Sequence, residues 1–158
     1  TLSSTIPTYL LGGRSGGILW NEFKQHSLES PDEAADVLSY LFNEGVDIEL
    51  RLDRFAEFYT IDALETTGGP LMSLATMLLT FVHPDEYVFY KYGLMSDFFE
   101  TYADYTVRQR YNPGQYRKLN LVCKNQILSE LREGLEDKDP TLLDVYTLFY
   151  VWDGHYNE

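Results

Sequence analysis

Cysteine is almost absent from this chain: among 158 residues only Cys123 carries a thiol, so no internal disulfide can form. That fits a reducing compartment. Histidine is nearly as scarce, and His26, His83 and His155 form no i, i+4 pair. A zinc centre built from Cys and His therefore has no support, and no metal is expected. Long hydrophobic runs are missing too. The longest candidate, Leu71 to Val82, is interrupted by Ser73, Thr76 and Thr80, far short of the ~20 apolar residues of a membrane span. No secretory signal pattern is visible. Basic residues are outnumbered, 12 against 25 acidic, for a net charge of -13. Taken alone, that balance argues against non-specific nucleic-acid binding, which works by neutralising phosphates.

Several catalytic signatures are missing as well. The segment Gly12-Gly13-Arg14-Ser15-Gly16-Gly17 is glycine-rich, but a phosphate loop also needs a lysine and a following hydroxyl. It reads as a flexible hinge or loop. Glu22-Phe23-Lys24 has the acid-x-lysine spacing of half a nuclease site, yet no acid precedes Glu22 to share a metal ion. No Ser/His/Asp or Cys/His pairing has sequence support, and Cys123 falls in a helical pattern as a small core residue. The expectation is a binding domain with no catalytic residues and no cofactor.

What is present is core material. Hydrophobic residues make up 44% and aromatics 15%, too much for a disordered acidic tail. The length suits a single domain over 1–158. Within it, 1–17 is a Gly-rich segment, 18–66 carries N-terminal helices and 70–153 forms a helical core. The chain is expected to be soluble and cytoplasmic. Because it starts at Thr1 instead of Met, it reads as a piece of a longer protein.

The pattern predicts a mainly α domain of six or seven helices. The first spans Ile18 to His26. Ser30-Pro31-Asp32-Glu33 is a helix start, with Ser30 as N-cap, Pro31 at the first position and Glu33 closing a capping box. Asn43 to Gly45 ends that helix. The next runs from Asp47 or Ile48 to Ile61, with Leu52, Phe55, Phe58 and Tyr59 inward and Glu49, Arg51, Asp53 and Arg54 outward. Gly68-Gly69-Pro70 breaks the chain. Leu71 to Val82 is apolar around most of its circumference and predicts the central buried helix, stopped by His83-Pro84. Asp85 to Tyr92 is rich in aromatics and is either a strand or an extended connection whose rings pack on that helix. Further helices follow over Leu94 to Thr106, Asn112 or Pro113 to Leu135, and Leu142 to Trp152. In the second of these, Tyr116, Leu119, Cys123, Ile127 and Leu131 keep helical phase.

Charge is unevenly distributed. Thr1 to Asp104 holds 5 basic and 17 acidic residues, and Glu130 to Glu158 holds 2 and 8. Between them, Tyr105 to Ser129 carries five cations and no acid. Arg108, Arg110, Arg117, Lys118 and Lys124 are interleaved there with Tyr105, Tyr111 and Tyr116. Cations for phosphates beside rings for bases are the ingredients of nucleic-acid contact. The competing reading pairs these cations with the surplus carboxylates of neighbouring helices. Asp97, Glu100 and Asp104 share one helix face, as a solvated face or, in an enzyme reading, a metal-assisted acid–base site.

The second half carries a longer pattern. It runs from Ser73-Leu74-Ala75-Thr76-Met77-Leu78-Leu79 through Val82-His83-Pro84-Asp85-Glu86-Tyr87. It resumes at Asn112-Pro113-Gly114-Gln115-Tyr116 and ends in Leu143-Asp144-Val145-Tyr146-Thr147-Leu148-Phe149-Tyr150-Val151-Trp152. Over residues 70 to 153 this resembles the helical region ahead of the motor in McrB-like AAA+ proteins of modification-dependent restriction systems, a form of antiviral defence. The resemblance implies a variable module, often a reader of modified DNA, ahead of a nucleotide-hydrolysing motor that works with a separate nuclease subunit. No motor loop lies within this chain, so the motor would follow Glu158. The resulting expectation is DNA recognition, or positioning of a reader, through Arg108, Arg110, Arg117, Lys118 and Lys124 with Tyr111 or Tyr116 near the bases. The rival expectation is a protein-interaction or oligomerisation domain that ignores DNA.

Overall fold

A computed structural model describes residues 10–12, 14–59, 68–135 and 138–156. These form seven helical rods: α1 (Arg14–Glu29), α2 (Pro31–Leu41), α3 (Ile48–Phe58), α4 (Gly69–Val82), α5 (Tyr92–Ala103), a composite rod, and α8 (Leu142–Tyr156). The composite rod joins α6 (Pro113–Val122) to α7 (Leu128–Gly134) through a π turn at Cys123–Ile127. No strand occurs among the described residues. The domain is mainly α, as its periodicity predicts.

Local chemistry accounts for most of the ends. Pro31 opens α2 with Asp32 and Glu33 in its first turn, where acids meet the positive end of the helix dipole. Ser30 makes no side-chain cap, so the expected capping box does not form. Asp47 caps α3 by accepting from the Glu49 N–H at 2.8 Å. Gly68 precedes α4 at φ +62. A Cβ on Gly68 would stand 2.6 Å from Tyr111 Cβ, so only glycine fits there. α1 starts earlier than its apolar pattern, at Arg14, drawing Gly16 and Gly17 into a helix where a loop was expected. α3 ends at Phe58 with Tyr59 as its C-cap, short of the expected end near Ile61, which lies outside the described residues, as do residues 1–9.

α4 is the buried centre: ten of its residues, from Gly69 to Thr80, are inaccessible. α1 and α3 pack on it, α2 packs on both of them, and α3 also meets α6. On the other side, α8 lies against α5, the π turn and α7. Segment 85–92 is not a strand: a turn over 84–86 leads into an irregular connection over 87–91, and Tyr92 opens α5. Tyr87, Val88, Phe89 and Tyr90 are all buried. Its backbone is held by side chains in place of a strand partner: Val88 N–H donates to Asn120 Oδ1 at 2.8 Å and Tyr90 N–H to Thr76 Oγ1 at 3.0 Å. Buried amides need partners, and here neighbouring helices supply them.

One inward residue contradicts the sequence reading. Arg51 was expected outside, yet it is 2% exposed. Its guanidinium donates to Leu41 O at 2.9 Å and to the Tyr87 hydroxyl, and sits 5.1 Å from the centre of that ring. The carbonyl end of α2 and an electron-rich ring accommodate the charge.

Candidate functional site

The basic window folds into three parts: loop 104–112, the first turns of α6, and the continuing rod. Asp104 takes a left-handed conformation at φ 48 and turns the chain out of α5, with Tyr105 N–H returning to Phe99 O at 3.2 Å. The loop then crosses the surface with its backbone fixed from beneath. Gln115 is buried, and its side-chain amide grips Arg108 twice: Oε1 accepts the Arg108 N–H at 2.9 Å and Nε2 donates to the Arg108 carbonyl at 3.0 Å. The Tyr90 hydroxyl donates to that same carbonyl at 3.2 Å. Val107, next to Arg108, is buried. Arg108 and Arg110 are therefore exposed side chains on a constrained backbone.

α6 begins where the loop ends. Asn112 is its N-cap and accepts the Gln115 N–H at 2.9 Å, and Pro113 follows at the first position. Arg117 and Lys118 are exposed one turn further on. Loop and helix enclose a hollow of about 620 Å³, which Arg108, Arg110, Arg117 and Lys118 all line, together with Tyr105 and Glu49. Four of the five cations thus share one concavity, beside a helix N-terminus whose dipole adds positive potential.

Their neutralisation is partial. Arg117 reaches Glu49 at 3.2 Å and Asp47 at 3.8 Å. Among the described residues, no carboxylate lies within ion-pair distance of Arg108, Arg110 or Lys118. Lys124 stands apart: it is further along the rod, outside the hollow, and pairs with Glu86.

Both expected base-stacking rings are also displaced. Tyr116 is 1% exposed and its hydroxyl donates to Val88 O at 2.8 Å. Burial pushes that phenol well above its ordinary pKa. Tyr111 is half-buried and its hydroxyl donates to Leu52 O, with burial again raising its pKa. Each ring is spent on packing, because a phenol that reaches a buried carbonyl satisfies both its apolar body and its polar tip. The ring that does line the hollow is Tyr105. Gln115, the clamp, was also missed, although Asn112-x-x-Gln115 has the spacing of a capping box.

The other candidates separate. Cys123 is fully buried and burial pushes its thiol far up, as suits a packed core residue. In Glu22-Phe23-Lys24, Phe23 is core and Lys24 is exposed, so the motif straddles the surface. Asp97, Glu100 and Asp104 are all exposed, and among the described residues no cluster of three or more His, Cys, Asp or Glu side chains is placed to hold a metal. No described helix is long and apolar enough to cross a membrane. Comparison with protein-family models, curated proteins and solved structures finds no match to this chain.

Proposed function

We propose that this chain is a non-catalytic binding domain that contacts nucleic-acid phosphates in the hollow between loop 104–112 and α6. The observation that carries this reading is the convergence on a single concavity of Arg108, Arg110 and Lys118, none paired with an acid among the described residues. Arg117 is a reserve cation. Its two carboxylate contacts are exposed, and exposed pairs contribute only ~0–1 kcal/mol. An arriving phosphate therefore displaces them at small cost. In the McrB-like setting that the sequence resembles, such a domain would read or position cytoplasmic DNA ahead of a motor and its nuclease partner.

The test is charge reversal. The double variant Arg108→Glu and Lys118→Glu changes two exposed side chains and should leave the fold intact by circular dichroism. Its affinity for DNA in a gel shift should fall at least about tenfold, or ~1.4 kcal/mol. Unchanged affinity would overturn the reading.

One observation favours a second reading, protein–protein interaction. Leu143, Tyr150 and Val151 are exposed along a single stripe of α8, spaced i, i+7 and i+8. A change in sedimentation on replacing Tyr150 and Val151 with serine, with no effect on DNA binding, would support that role for α8.

A further inference from the structure

Beside the basic hollow lies a second cavity of different chemistry. It is smaller, about 180 Å³, and runs between the end of α5 and the α6 rod. Phe99, Ala103, Leu119 and Val122 make its walls, and Gln126, on the π turn, stands at its edge. Tyr105 and Lys118 line both cavities, so the apolar slot adjoins the cationic hollow. Its volume equals that of about six waters at ~30 Å³ each, room for one ring system and little more.

We propose that the two cavities together take a nucleotide unit of single-stranded nucleic acid, with phosphates in the hollow and one base in the slot. This rests on the phosphate reading above and specifies its substrate. Three features select this ligand. A nucleotide joins an anion to a flat, largely apolar ring, which matches a cationic hollow beside an apolar slot. The hollow is more than three times the slot's volume and its cations are spread over loop and helix, which suits a strand of recurring phosphates better than one isolated anion. Tyr105 and Gln126 line the slot and bring an aromatic ring and an amide donor–acceptor pair, the groups that stack on a base and bond its edge. A duplex does not fit, because its bases are stacked and offer only their edges. The π turn at the slot's end is in keeping, since such turns are frequent at functional sites.

The test uses the full chain and fluorescence anisotropy with three probes: a single-stranded oligothymidylate, an abasic strand carrying the same phosphates, and a tyrosine-phosphorylated peptide. The oligothymidylate should bind about tenfold tighter than the abasic strand. Ala103→Leu, at an exposed helix end, partly fills the slot. It should bring oligothymidylate binding down towards the abasic level and leave abasic binding unchanged. Equal binding of the two strands, or no effect of Ala103→Leu, overturns the base slot while the phosphate reading stands. Binding of neither strand overturns both. Tighter binding of the phosphopeptide than of the oligothymidylate also overturns the proposal.

Discussion

Thr76 shows how much a single side chain does in this fold. It is fully buried on α4; its hydroxyl donates to Met72 O at 2.8 Å and accepts the Tyr90 N–H at 3.0 Å. Thr76→Val keeps the shape and removes the acceptor, leaving the Tyr90 amide buried without a partner. The variant should unfold ~1–3 kcal/mol more easily in urea, and a loss under a few tenths would mean that the amide has another acceptor. Such residues were hardly legible in the sequence. Thr76 looks like an interruption in an apolar run, and Arg51 like a surface cation. Each is inside because a distant carbonyl, hydroxyl or amide meets it there, and spacing along the chain does not encode that. The same holds for Tyr111 and Tyr116. Their neighbours in sequence are cations, but their hydroxyls bond to Leu52 O and Val88 O.

At the scale of elements, the helices were the legible part, because period and end signals agree. Pro31, Asp47, Gly68 and Asn112 each stand at the boundary their chemistry suggests. The π turn was not legible, since Leu119, Cys123 and Ile127 keep good helical phase through it. Segment 85–92 was ambiguous for a physical reason. Its aromatics favour extended backbone, but whether a strand forms depends on a neighbouring strand, and here side chains of α4 and α6 take that place. Loop 104–112 is the element on which the site depends, and Gln115 is its clamp. Gln115→Ala removes both bonds to Arg108 and should speed amide exchange there, while the helical circular dichroism stays near that of the parent. DNA affinity should fall severalfold, because Arg108 then pays ordering entropy on binding. Undiminished affinity would show that the loop does not need to be held.

At the scale of the whole molecule, the domain carries a formal charge of -13, yet it gathers four cations around one hollow. The two facts are compatible if only a few phosphates of a strand enter the hollow and the rest of the strand stays clear of the acidic surroundings. The charge windows of the sequence marked the stretch that supplies these cations. They could not separate Arg108, Arg110 and Lys118 from Arg117 and Lys124, because pairing with Asp47, Glu49 and Glu86 is a product of the fold. The measurement that tests the central claim most directly is the salt dependence of single-strand binding by the unaltered chain. Three phosphate contacts predict that log K falls against log salt with a slope of about -2, at ~0.7 per neutralised phosphate. A slope near zero would contradict the claim that these three cations carry the binding.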